Sequence, residues 1–264
     1  SDRRVSPEMT FEVIEALRPT VFCGVPTLFA QQLEYLETAR VDTSSLRICV
    51  SAGEALPGDV FRRWEDKTGT QIIEVYGSTE ALHCVIGNTE DELKPGSSGR
   101  VCPGYEARIV DDEGNPVEQG DIGTVHIKAG SNAKYYWNSP EKTAETMLPG
   151  GWLNMGDTSY QDEDGWFIYC GRGDDMMKVG GLWCSPFEIE ARLIEHPNVV
   201  EVAVVARKDE NELVKPEAWV VLNDPAAAGE AMESALAEHC RGGLARYKYP
   251  RWFNFVDELP KTAT

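Results

Sequence analysis

Gly171-Arg172-Gly173-Asp174-Asp175-Met176-Met177-Lys178-Val179-Gly180-Gly181, read G-R-G-D-D-M-M-K-V-G-G, separates two stretches of different texture. Upstream, helical and strand signals alternate. Ser6-Pro7 opens a helix that runs to Leu17, Thr20 to Val25 reads as a buried strand, and Pro26-Thr27 starts a helix to about Leu36. Leu46 to Val50 and Gln71 to Val75 are short apolar runs on either side of a helical Pro57 to Lys67, the pattern of an α/β layer. From Gly96 to Lys128, runs of β-formers broken at Pro103-Gly104, Asp112-Glu113-Gly114-Asn115 and Glu118-Gln119-Gly120 predict a small antiparallel β subdomain. Downstream, the order is a short strand, a helix from Pro186, strands Val199 to Ala206 and Glu217 to Leu222, a helix near Ala227 to His239, and a strand Trp252 to Val256. Ser185, Pro186 and Glu188 form a capping-box start for the first of those helices. The fold class is therefore α/β: residues 1–173 as an α/β layer plus β subdomain, and 174–264 as a small α+β domain.

Composition narrows the functions. Lys plus Arg number 25 against 44 Asp plus Glu in 264 residues, a net charge of −19 that argues against non-specific binding to nucleic acid or anionic lipid. Any phosphate-bearing ligand needs a local cluster of cations against that field. No apolar run reaches the roughly 20 residues needed to cross a bilayer, so a cytoplasmic location and no membrane partner are expected. Seven cysteines without a C-x-x-C pair suit reduced thiols rather than a disulfide framework or zinc site.

Three segments carry chemistry. Y-G-S-T-E, Tyr76 to Glu80, follows a strand and gathers an aromatic ring, two hydroxyls and a carboxylate in one turn; the same residues suit a strand-to-helix turn capped by Ser78 or Thr79. Ser51-Ala52-Gly53-Glu54-Ala55 also follows a strand of the α/β layer, the position where ligands meet such sheets. Gly156-Asp157 closes G-G-W-L-N-M-G-D, and one aspartate can accept from two vicinal hydroxyls.

Together these motifs, in this order, resemble the adenylate-forming acyl-CoA ligase superfamily, and T-V-F-C-G-V-P-T-L-F (Thr20 to Phe29) with Ala81-Leu82-His83 is most similar to its benzoate-CoA ligase group. The resemblance implies that residues 1–173 are the remaining part of the large N-terminal domain and 174–264 the small mobile C-terminal domain. It implies ATP-dependent activation of an aromatic carboxylate, Mg²⁺ as cofactor, and coenzyme A as acyl acceptor. Tyr76, Thr79, Asp157 and Arg172, with Gly53, Glu54 and Ala55, are then the nucleotide-binding set, Glu80 the metal carboxylate, and Thr79, Glu80 and His83 the catalytic group. Phe22, Gly24, Ala52, Val75, Gly77, Leu82 and His83 become the acyl pocket, with Gly77 letting the acyl group approach the backbone. Asp174 becomes the hinge, and Lys178, Gly180, Gly181, Tyr247, Lys248 and Arg251 the CoA contacts, although Gly180-Gly181 equally suits a plain hairpin turn.

The family's phosphate loop is missing from the chain, and the P-K-T run at Pro260-Lys261-Thr262 stops short of the family's lysine. A fragment inactive in adenylation is the resulting expectation. Transfer to a carrier-protein thiol, and a non-catalytic nucleotide- or CoA-binding remnant, stay as alternatives, and a homodimer stays open.

Overall fold

Ser6 accepts a hydrogen bond from Met9 N–H and caps α1 (Pro7–Leu17), and Pro7 occupies its first turn, where no N–H is needed. The same proline device starts α2 (Pro26–Thr38) directly after β1 (Val21–Gly24). β2 (Ile48–Ser51), α3 (Gly58–Thr68), β3 (Ile72–Gly77), β4 (Cys84–Gly87) and β5 (Arg100–Val101) follow. The computed structural model describes residues 5–260, so Lys261 of the P-K-T run lies outside the described residues. The chain divides into two compact units between Tyr169 and Cys170.

In the first unit the five strands lie in the order β1-β2-β3-β4-β5. β1, β2 and β3 are parallel, while β4 turns back antiparallel on β3. Parallel direction places the carboxyl ends of the first three strands along one edge. Gly24 is level with Ser51, and Ser51 with Glu74, so β3 runs on through Val75, Tyr76 and Gly77 past the others. One face is filled by the helices: Phe11, Ile14, Phe29, Leu33, Trp64, Cys49 and Ile72 form a single buried cluster. Phe29 meets Trp64 edge to face at 4.9 Å, geometry that aromatic quadrupoles favour.

A second sheet in this region uses β6 (Glu106–Val110), β7 (Gly123–Lys128), β9 (Trp152–Gln161) and β10 (Phe167–Arg172), with the short β8 (Met147–Leu148) on β9 and α4 (Pro140–Thr146) before it. Its pairings β6–β7 and β7–β9 are antiparallel, as the turn signals predict. Its apolar face joins Ala81, Val85 and Ile86 in one core, which anchors the turn after β3 from beneath.

The second unit begins with a hairpin, β11 (Met177–Val179) and β12 (Leu182–Cys184). Gly180 and Gly181 are its turn, at φ 61° and 84°, the doubly left-handed geometry of a two-residue hairpin. α5 (Pro186–Ile194), β13 (Val199–Lys208), β14 (Val214–Leu222), α6 (Glu230–Arg241) and β15 (Trp252–Phe255) complete it. The strands lie in the order β13-β14-β15, and Ile189, Leu193, Leu236 and Cys240 of the helices share a core with Val204, Ala218, Val220 and Leu222 of the sheet. The capping box at α5 is half made: Ser185 accepts from Glu188 N–H at 3.2 Å, but the Glu188 carboxylate is taken by Lys248.

Candidate active site

The three parallel strands release their loops on one edge of the sheet, and those loops carry several of the residues singled out from the sequence. The loop after β2 holds Ala52, Gly53, Glu54 and Ala55. Gly53 sits at φ 92°, a conformation glycine adopts at least cost, and Ala52 N–H reaches the Gly24 carbonyl at 3.4 Å. The exposed Glu54 accepts from Thr27 Oγ1 at 2.8 Å, which ties this loop to the start of α2.

β3 leads into a tight connection to β4 rather than into a helix, so Ser78 and Thr79 cap no helix. Ser78 Oγ accepts from Ala81 N–H at 3.3 Å and Leu82 N–H bonds the Thr79 carbonyl at 3.1 Å. The register shift between Tyr76 and Gly77 brings the returning chain so close that a Cβ on Gly77 would lie 2.0 Å from the His83 carbonyl oxygen. The hairpin itself therefore requires glycine at 77, independently of any ligand. Leu82 has φ 82° and is 69 % exposed, and His83, also exposed, pairs Nδ1 with the Cys84 carbonyl at 2.9 Å.

Beside this turn lies Asp157 on β9, only 8 % exposed. Tyr76 donates its hydroxyl to one carboxylate oxygen at 2.8 Å, and Tyr169 donates to the other at 3.4 Å. The structure thus brings Tyr76 and Asp157 together, 81 residues apart in sequence, and adds Tyr169, which no sequence period marks.

Glu80 is gripped by the segment between β7 and α4. Tyr136 donates to its Oε1 at 2.5 Å, and Ala133 N–H bonds its carbonyl at 2.7 Å. The Tyr136 hydroxyl, with help from Ser78 and the Lys142 charge, holds the Glu80 carboxyl below the usual range. Burial, and then the hydrogen bond to Glu80, push the Tyr136 phenol up. An ionised carboxylate of this kind fits a Mg²⁺ ion that arrives with nucleotide phosphates, since Mg²⁺ needs few protein ligands. Among the described residues no group of three or more His, Cys, Asp or Glu side chains is placed to hold a metal ion unaided.

The residues expected to form an acyl pocket do not share one surface. Phe22 packs edge to face on Phe29 at 5.5 Å, and a Cβ on Gly24 would meet both rings, so these two belong to the helical face of the sheet. Val75 points to the opposite face, where it lies against Gly87. Ala52 and His83 lie in the edge loops, and Gly77 is the last residue of β3. Glu74, level with Ser51, is 5 % exposed; burial, opposed by Ser98 and the Leu56 N–H, pushes its carboxyl up to about 8.

In the second unit, Arg172 is exposed and precedes the helical turn Gly173–Asp175 that contains Asp174. Lys178 Nζ lies 4.3 Å from the ring of Trp183, its cross-strand partner. Tyr247 donates to the Trp183 carbonyl at 3.2 Å, which brings the Arg246–Lys248 turn to the Gly180-Gly181 hairpin. Lys248 is committed to Glu188; burial opposes its charge, but that carboxylate outweighs it and raises the ammonium's pKa. Arg251 is exposed, its backbone joined to Pro216.

Residues 1–137 match the model of the AMP-binding enzyme family, and 188–264 that of the AMP-binding enzyme C-terminal domain. The benzoate–CoA ligase of Thauera aromatica is 44 % identical over 99 % of the chain and 50 % of its own length. The 4-hydroxybenzoate–CoA/benzoate–CoA ligase of Rhodopseudomonas palustris is 39 % identical over 99 % of the chain and 49 % of its length. Among solved structures, an anthranilate CoA ligase in complex with anthranoyl-AMP superposes with a TM-score of 0.92 at 42 % identity, covering 98 % of this chain and 50 % of that one. The chain spans about half the length of the curated relatives it matches. With more than half of its residues matched by the family model and relatives of this identity across its whole span, the chain belongs to the AMP-binding enzyme family.

Proposed function

We propose that this chain is part of an ATP-dependent ligase that activates an aromatic carboxylate as its acyl-adenylate and passes the acyl group to coenzyme A. The observation that carries this is the meeting of Tyr76, Asp157 and the Thr79-Glu80 turn at the carboxyl edge of three parallel strands. The named relatives that act on benzoate support the aromatic class.

In this mechanism Tyr76 lies against the adenine, and Asp157 accepts from the ribose hydroxyls. Its two oxygens have acceptor capacity beyond the phenols of Tyr76 and Tyr169, and those phenols fix the plane in which it is offered. Gly53, Glu54 and Ala55 border the base, Thr79 donates to phosphate, and Arg172 adds a cation to the nucleotide. Glu80 would hold a Mg²⁺ ion, which would supply neutralisation of phosphate charge. His83 borders the substrate carboxylate, whose oxygen attacks the α-phosphorus and expels pyrophosphate. This chain contributes orientation and charge rather than a covalent partner, which suits phosphoryl chemistry. Ala52, Gly77 and Leu82, at the ends of the strands, border the ring, with Phe22 and Gly24 behind them on one face of the sheet and Val75 on the other. Asp174 then acts as the hinge between adenylation and transfer, and the CoA thiol attacks the acyl carbon with AMP leaving. Lys178, Gly180, Gly181, Tyr247, Lys248 and Arg251 flank the CoA arm, and the closeness of Tyr247 to the glycine hairpin supports their grouping. The seven unbridged cysteines fit a reducing cytoplasm.

Pyrophosphate–ATP exchange tests this in the protein purified from its native cells. Exchange dependent on benzoate or a substituted benzoate is expected, followed by thioester formation on adding CoA; exchange only with fatty or amino acids overturns the aromatic assignment. Thioester formed on a carrier protein and not on CoA would move the acceptor to that alternative.

A further inference from the structure

The segment Lys134-Tyr135-Tyr136-Trp137 carries three consecutive aromatic side chains of different fates. Tyr135 is 62 % and Trp137 80 % exposed, while Tyr136 is half-buried and reaches Glu80. Its conformation is built rather than incidental. Tyr136 N–H donates to Thr143 Oγ1 at 2.9 Å, and Thr143 donates onward to the Ser139 carbonyl at 2.7 Å, so the start of α4 fixes the backbone. Lys142 Nζ lies 4.4 Å from the ring centroid. The same segment holds the backbone of the turn, through Ala133 N–H to the Glu80 carbonyl and Ser131 Oγ to the Ala81 carbonyl at 3.0 Å.

We propose that Tyr136 is a positioning residue for adenylation, its hydroxyl holding the Glu80 carboxylate in one rotamer so that the carboxylate is already aimed when the nucleotide arrives. This rests on the function proposed above. Among the described residues no three-ligand cluster would orient a cation, so a lone carboxylate must be oriented by its own neighbours. A glutamate side chain free to rotate would pay its ordering entropy in each turnover, whereas one held by Tyr136 has paid it on folding.

The test is a double-mutant cycle of Tyr136→Phe and Glu80→Gln in the protein purified with its native sequence on both sides. Benzoate-dependent pyrophosphate exchange and Mn²⁺ binding in the presence of ATP, followed by the Mn²⁺ paramagnetic resonance signal, are the two readouts. Tyr136→Phe is expected to lower the exchange kcat and weaken Mn²⁺ binding by about ten-fold each. The benzoate KM stays unchanged, and in the Glu80→Gln background the tyrosine substitution adds nothing further. Equal losses in both backgrounds, or a change in benzoate KM alone, would overturn the role. Urea unfolding of each variant identifies losses that come from the fold. A native protein with no carboxylate-dependent exchange would sink the functional reading and this role with it, whereas native exchange with no coupling between 136 and 80 sinks the role alone.

Discussion

At the scale of single residues, the most informative group is Asp157. A carboxylate 8 % exposed needs donors, and Tyr76 and Tyr169 supply one to each oxygen. Asp157→Asn keeps the shape but swaps one acceptor oxygen for an NH₂ that faces a phenol or a ribose hydroxyl as donor to donor. The expected result is acyl-AMP binding weaker by about ten-fold or more, measured by isothermal titration. Tyr76→Phe leaves the carboxylate charged and removes one donor, so it should cost less than the aspartate substitution. If Asp157→Asn binds acyl-AMP as tightly as the native chain, Asp157 does not meet the nucleotide.

At the scale of elements, two glycine turns of similar appearance respond differently to substitution. Gly77 has no room: an added Cβ falls 2.0 Å from the His83 carbonyl oxygen, against the backbone of His83 and Cys84. Gly77→Ala should therefore cost about 3 kcal/mol and displace the Ser78 to Leu82 turn, visible as a lowered urea midpoint. Gly180 and Gly181 have open space around the missing Cβ, but positive φ. Alanine at either should cost only about 1–2 kcal/mol through backbone strain, and Gly180→Asn less than Gly180→Ala. This contrast also marks what the sequence makes legible. The helix starts at Pro7, Pro26 and Pro186, the strand Val199–Lys208 and the glycine hairpin follow from local chemistry, and local chemistry is written in adjacent residues. The tight return of β4 onto Gly77 was not legible, because Ser78-Thr79-Glu80 caps a helix as readily as it turns a hairpin. Tyr136 and Tyr169 were missed because their partners, 56 and 12 residues away, are chosen by tertiary packing and leave no period behind. The face on which Phe22 and Val75 lie was equally hidden, since alternation fixes which residues share a face but not which face a helix will cover.

At the scale of the whole molecule, buried titratable groups in both units make stability depend on pH, and the direction can be worked out group by group. Glu74, raised to about 8 by burial, and Glu190, half-buried on α5 and raised to about 7, stay protonated in the folded chain after their unfolded counterparts have ionised. A raised acid stabilises the fold fully below its unfolded pKa and loses that contribution as pH rises to the folded value, so both make stability fall with increasing pH. His126, lowered to about 4 by burial and then by Arg108, acts oppositely. Its unfolded form holds a proton up to about 6.5, so it makes stability rise with pH from about 4 to that point. The contributions overlap below pH 6.5, but between pH 7 and 8 Glu74 is the one of these three that keeps most of its proton in the fold. Each proton retained only by the folded state lowers stability by about 1.4 kcal/mol per pH unit. The first unit should therefore lose about 1 kcal/mol between pH 7 and 8, read from urea midpoints of a signal confined to it. Glu74→Gln keeps a polar group for Ser98 and the Leu56 N–H but has no proton to lose, so it should flatten this slope. It should leave the fall between pH 6.5 and 7 in the second unit, where Glu190 sits, unchanged. A slope at pH 7 to 8 that persists in Glu74→Gln would show that Glu74 is ionised in the fold and that another group carries the pH dependence.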